Sequence, residues 1–269
     1  MTTKTALEDT RRLVAEAVDL IQAAAGPEGP CGCVVLGPGL ESLVDCLDQP
    51  AEIPYRGDAD VRLAVGHVEG NPVVAFLKTA GCSQSHPGPT FVARVAKKLG
   101  LPHLVVVDNA LRVDPQFAPG GLALVSDHVN LTGDNPLIWA RDPELGPRFL
   151  DMRQTYPEGL LQQAQAAGLA MGMELPRGVY AACEPGVKHT VDGGDFWQMV
   201  GADAVGQGIV HEALAAVEAG LGTVGILLII GDMSAKACID LDRVTRSKPV
   251  LHAIIEACVF RKGLDLSAD

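Results

Sequence analysis

Gly201-Ala202-Asp203-Ala204-Val205-Gly206-Gln207-Gly208-Ile209-Val210-His211-Glu212 is the stretch on which the fold class turns. Its first six residues read as a short strand, and Ile209 to Ala219 reads as a helix. Thr223 to Ile230, the most apolar strand of the chain, follows directly. A strand that turns through glycines into a helix and returns to a buried strand is the building unit of α/β proteins.

The same alternation continues in both directions. Residues 5–25 place Leu7, Val14, Val18 and Ile21 near one face of an amphipathic helix, which Gly26-Pro27-Glu28-Gly29-Pro30 ends. Cys31 to Leu36 is a strand running into Gly37-Pro38-Gly39-Leu40, with a helix predicted from about Glu41 to Leu47. Val61 to Val65 and Val73 to Leu77 are strands, Thr90 to Leu99 a helix, and Leu104 to Val107 a strand leading into Asp108-Asn109-Ala110. Leu122 to Ser126 is a strand that ends at Asp127-His128. Residues 130–148 form a long polar excursion with prolines at 136, 143 and 147, the kind of loop that is usually functional or interfacial. A helix over 158–171, a strand over Val179 to Cys183, a helix over Asp192 to Val200 and a closing helix over Ser247 to Arg261 complete the pattern. The expectation is α/β: a single domain over 1–269 with a mixed, largely parallel central sheet flanked by helices. Ligands in such folds bind beyond the carboxyl ends of the strands. Attention therefore falls on Gly37, Gly66, Asp108, Asp127, Glu184, Gly206 and Gly231.

Composition narrows the partners. The formal net charge is −12 and no Lys/Arg run occurs, so nucleic acid and anionic membrane surfaces are disfavoured. Charged residues interrupt the N-terminal segment, and the longest apolar run, Val224 to Ile230, is too short to span a bilayer. The seven cysteines are scattered without a Cys-x-x-Cys pair, which reads as reduced, mostly buried thiols of a cytoplasmic protein with no metal site.

Several strand ends together resemble one family. Val125-Ser126-Asp127-His128-Val129-Asn130-Leu131-Thr132-Gly133, then Asn135-Pro136-Leu137, closely resembles a segment of the trimeric purine nucleoside phosphorylases. The opening Gly201–Gly206 stretch with Val210 and Glu212, the strand start Gly178-Val179-Tyr180, Gly37-x-Gly39-Leu40 and Gly66-His67 match other motifs of that family in order, from residue 31 to about 232. The resemblance implies cleavage of a nucleoside by inorganic phosphate to a free base and a sugar 1-phosphate. Phosphate is then the co-substrate, no other cofactor is needed, and the assembly is a homotrimer. Asp127, His128 and Asn130 are implied to be architectural, and the 131–148 excursion with Trp139 and Phe149 to make the subunit contact.

Residue by residue, the resemblance assigns phosphate and sugar binding to Gly37, Gly39, His67, Arg112 and Gln207. It assigns the base to Asn109, Lys188, His189 and Gly231, and places His86 and Asp232 nearest the chemistry. Departures accompany each assignment. Pro38 replaces a serine and lacks both hydroxyl and N–H. No arginine lies between Gly81 and Gly88, so the bidentate phosphate clamp is absent unless Arg112 supplies it. Leu111 and Arg112 stand where the family has small residues. Lys188 and His189 replace an aromatic and a glutamate, Gln207 a methionine, and Gly231 an asparagine, with Asp232 beside it as a substitute. Three readings stay open: phosphorolysis with altered specificity, a catalytically degenerate homologue that binds a small metabolite or acts as an interaction subunit, and hydrolysis. The last ranks lowest because no acidic residue stands out in place to activate water.

Overall fold

A computed structural model describes residues 3–55, 61–79, 88–138, 145–146, 150–183, 193–233 and 241–259. Nine strands and six α-helices follow one another along these residues: α1 (Thr3–Ala25), β1 (Gly32–Leu36), β2 (Asp48–Ile53), β3 (Val61–Val68), β4 (Asn71–Lys78), α2 (Gly88–Lys98), β5 (His103–Arg112), β6 (Leu122–Leu131), α3 (Glu158–Ala170), β7 (Arg177–Cys183), α4 (Gly193–Met199), β8 (Ala204–Gly206), α5 (Ile209–Ala219), β9 (Gly222–Asp232) and α6 (Leu241–Val259). The α/β expectation holds, and the sheet is mixed. β1 pairs in parallel with β4 and β5, β5 with β9, β6 with β7, and β7 with β8. The pairings β2–β3, β3–β4, β5–β8 and β6–β9 are antiparallel.

The order β2-β3-β4-β1-β5-β8-β7-β6-β9 closes on itself, because β9 also pairs with β5. Five strands thus form a ring (β5, β8, β7, β6, β9), and β1, β4, β3 and β2 extend from it as an open wing. β5 belongs to both. Its first half lies between β1 and β9, and its last three residues between β8 and β9. Such a strand is buried on both sides, which accounts for the apolar run Leu104–Val107. Helices α1, α2 and α5 pack together, as do α3 and α6, and both groups rest on the sheet. α5 is covered on nearly every face, so its small residues (Ala213, Ala215, Ala216 and Ala219) let it lie close to the strands.

Three expectations need correction. β5 continues through Asp108, Asn109 and Ala110 to Arg112, because β8 and β9 supply ladder partners beyond the apolar run. β6 likewise runs on past Asp127-His128 to Leu131, held by β7. Gly66 and His67 do not end a strand: they lie inside β3, where His67 faces Pro72 of β4. An edge strand, β2, was not anticipated at all, since Asp48-Gln49-Pro50-Ala51-Glu52 has neither apolar alternation nor β-branched residues.

Candidate active-site cleft

β5 is the point at which strand direction reverses. β1 and β9 run with it and β8 runs against it, so the carboxyl ends of four strands meet there. A cleft of about 240 Å³ opens at that meeting point. It is lined by Pro38 after β1, Asp108 to Leu111 of β5, Cys183 at the end of β7, Val205 to Gly208 around the end of β8, and Ile230 of β9. The β5–β9 ladder slips by one residue here: Ala110 faces Ile229 and Leu111 faces Gly231. The extra residue of that bulge is Ile230, which the irregularity delivers to the cleft wall.

The floor is polar. Asp108, only 5% exposed, accepts from the backbone N–H of Asn109 at 2.8 Å and of Gly208 at 2.6 Å. Gly208 is the N-cap of α5, so the carboxylate also sits at the positive end of that helix. A Cβ on Gly37 or on Gly208 would collide with Asp108, which is why both positions are glycine. Burial raises the proton affinity of Asp108, and the two N–H donors and the nearby Lys78 cation lower it, leaving it raised on balance. Lys78, at the end of β4, is ion-paired with Glu212 of α5, both out of solvent. Glu212 is also raised, first by burial, with Lys78 opposing and Asp108 adding to the shift. Tyr180 of β7 closes the floor, its hydroxyl lying where a Cβ on Gly206 would come within 2.5 Å. Among the described residues lining the cleft, Asp108 is the single charged side chain.

Asn109 is the second polar feature. Its amide nitrogen donates to the Pro38 carbonyl at 3.0 Å, tying β5 to the loop after β1. Its Oδ1 is buried and has no hydrogen-bond partner among the described residues. An orphaned acceptor in a cleft is a natural contact for a ligand hydroxyl or N–H.

The predicted site residues are distributed unevenly. Asn109 and Gln207 line the cleft, Gly37 backs Asp108, and Gly231 follows Ile230 in β9. Gly39, with φ +80°, turns the loop. The loop's N–H groups are already committed, Gly37 to the Val107 carbonyl at 2.8 Å and Gly39 to Glu41 at 3.3 Å. Arg112 and Asp232 are joined to each other, Nε to Oδ2 at 3.0 Å, and a second Arg112 nitrogen donates to the Pro115 carbonyl. The structure does not bring His67 to this group. Leu36, beside Gly37, is level with Leu77, while His67 is level with Pro72, five residues of strand or about 17 Å away. His86, Lys188 and His189 lie outside the described residues, as do Trp139 and Phe149.

Sequence reasoning missed Lys78 and gave Asp108 and Glu212 no site role. The available signal was charge in apolar context: Lys78 follows Val73–Leu77, Asp108 follows Leu104–Val107, and Glu212 sits in a helix of mostly apolar residues. Asp127 to Asn130 lie in β6, and Asn130 secures the turn that follows the strand. Asn130 accepts from Thr132 and donates to the Asp134 carbonyl, and His128 contacts the Tyr156 hydroxyl at 3.0 Å.

Residues 33–259 match the phosphorylase superfamily. Over 216 residues the chain is 35% identical to purine nucleoside phosphorylase 1 of Geobacillus stearothermophilus, spanning 76% of this chain and 78% of that protein. It is 32% identical over 217 residues to purine nucleoside phosphorylase 1 of Bacillus subtilis, spanning 76% and 79%. Among solved structures, isoform 2 of the purine nucleoside phosphorylase from Schistosoma mansoni, in complex with cytosine and ribose-1-phosphate, superposes with a TM-score of 0.80 at 23% identity. That alignment covers 94% of this chain and 98% of the other, and at that identity it speaks to the fold. The ring-and-wing sheet, the cleft at its reversal point and the match along nearly the whole chain agree: this chain belongs to the phosphorylase superfamily, in its purine nucleoside phosphorylase family.

Proposed function

We propose that the chain cleaves the N-glycosidic bond of a nucleoside and transfers the pentosyl group to inorganic phosphate, releasing the free base and a sugar 1-phosphate. The observation that carries this reading is convergence. Pro38, Asn109, Gln207 and Ile230 come from four separate strand ends and line one cleft, where the family resemblance puts phosphate, sugar and base. The relatives named above are purine nucleoside phosphorylases. As the bond breaks, positive charge grows on the sugar and negative charge on the departing base, so fixed dipoles do most of the work. Asn109 offers its unpaired Oδ1 to a ligand hydroxyl or N–H, held in place by its bond to Pro38. The buried side chains of Val205 and Ala110, with Ile230 and Leu111, keep water from the reacting carbon.

A second reading is favoured by one observation: the described cleft lining has no cation. Lys78 is paired with Glu212 and Arg112 with Asp232. A homologue that binds a small polar metabolite without turning it over fits that electrostatics. The deciding experiment measures free base released from inosine, guanosine and adenosine, each with and without inorganic phosphate. Phosphate-dependent release well above background is the expected result. Absence of release from all three nucleosides would replace phosphorolysis with the binding role, and release that ignores phosphate would replace it with hydrolysis.

A further inference from the structure

We propose that Asp108 sets how tightly the cleft binds its phosphate acceptor: its carboxylate is a built-in anion that already holds the N–H groups of Asn109 and Gly208, so phosphate binds weakly until the side chain at 108 is made neutral. This proposal rests on the reading of the cleft as a nucleoside-cleaving site. Its geometry is specific. Asp108 lines the cleft, and its carboxylate is wedged between the backbones of Gly37 and Gly208 at the positive end of α5. A phosphate at a polar floor seeks backbone N–H donors of this kind. Here each donor has an internal partner: Gly37 on the Val107 carbonyl of β5, Gly39 on the Glu41 side chain, and Asn109 and Gly208 on Asp108. An incoming dianion meets a like charge with no cation in the described lining to offset it.

The groups facing Asp108 do not cancel its charge. Lys78 from β4 is the nearby cation, and Glu212 from α5 shares it. Tyr180 from β7 stays a neutral phenol, its proton held by burial first and by the charge of Asp108 second. One cation therefore serves two carboxylates in a dry environment. The arrangement favours an additional proton, and burial raises the proton affinity of Asp108 accordingly. Phosphate is thus better accepted as the solution becomes more acidic, because protonation removes the repulsion.

The test needs no turnover. Binding of inorganic phosphate to the intact chain is measured by titration calorimetry for the native protein, Asp108→Asn and Asp108→Ser. Asn is isosteric, but one of its ends donates where an N–H already points, so Ser provides a second neutral side chain; thermal unfolding confirms that each variant is folded. The expected result is at least tenfold tighter phosphate binding in a folded variant, with a weaker pH dependence than the native chain shows. In the base-release assay the same variant lowers the KM for phosphate while leaving the KM for nucleoside within twofold. Phosphate binding that is unchanged, weaker or undetectable in both variants overturns the proposal. Tighter phosphate binding without base release from any protein would uphold the role of Asp108 in anion exclusion and sink the phosphorolysis reading, so the two failures are separable.

Discussion

Lys78 and Glu212 show how much a single buried charge commits its surroundings. Each is almost completely out of solvent, and their attraction has to offset the loss of hydration of both. Removing Lys78 leaves Glu212 buried without its cation. Lys78→Met is expected to destabilise the chain by about 3–5 kcal/mol at neutral pH, read from denaturant unfolding, and Lys78→Met/Glu212→Leu to recover most of that loss. The sign of the pH dependence follows from the raised proton affinity of Glu212. A carboxylate that holds its proton more tightly when folded contributes fully below its unfolded pKa of about 4.3, and that contribution is lost as pH rises through the folded value. The Lys78→Met deficit should therefore be smaller at pH 5 than at pH 8; an equal deficit at both would mean the pair carries little charge. None of this is legible in sequence, where Lys78 and Glu212 are 134 positions apart, 212 minus 78. Arg112 and Asp232 teach the same lesson from the other side. Each was read as a ligand contact, and the β5–β9 ladder places them beside each other.

At the scale of elements, polar side chains hold strand ends in register where the ladders break. Asp203, just before β8, accepts the Val179 N–H of β7 at 2.7 Å, while its own backbone carbonyl takes the N–H of Val113 and of Asp114 after β5. Gly178 is glycine because a Cβ there would meet Phe117 at 2.5 Å and the Asp203 carboxylate at 2.6 Å. Asp203→Ala removes the acceptor from a β7 N–H and is expected to cost about 1.5–3 kcal/mol in unfolding stability. The same change should speed hydrogen exchange at Val179 relative to Tyr180; unchanged exchange there would show that the side chain does not hold β7. Element existence was mostly readable because apolar runs, glycine turns and helical periodicity are local. Element ends were not. β5 and β6 extend through polar residues on the strength of partners far along the chain, and β2 forms from residues with no strand signal of their own. The cleft sits among these extensions, which is why the strand ends that matter were found but their company was not.

At the scale of the whole molecule, the thiols of the described residues lie mostly in the interior. Cys33, Cys46, Cys183 and Cys258 are buried and Cys31 is half-buried. Burial pushes Cys46 and Cys258 up to about 12 and Cys33 higher still, so the reactive thiolate is scarce at neutral pH. Iodoacetamide at pH 8 is expected to label Cys33, Cys46 and Cys258 only after denaturation, as read by peptide mass spectrometry; labelling of Cys258 in the native state would mean that α6 opens. The scatter of the cysteines reads as reduced, mostly buried thiols, which holds for the five described, and alternation reads as the α/β architecture that the structure shows. The sequence did not anticipate closure of the sheet, because closure depends on β9 pairing with both β5 and β6.

That closure has a further meaning for how copies of the chain meet. Every described strand except β2 has a neighbour on both sides. β2 is short and exposed, carries Asp48 and Glu52, has a proline without an N–H at Pro50, and is kinked at Gln49, where φ is +49° and the register shifts. Each of these obstructs the addition of a foreign strand. Fibril-like stacking, in which one molecule's sheet continues into the next, is offered a single docking place among the described strands, and that place is built to refuse it.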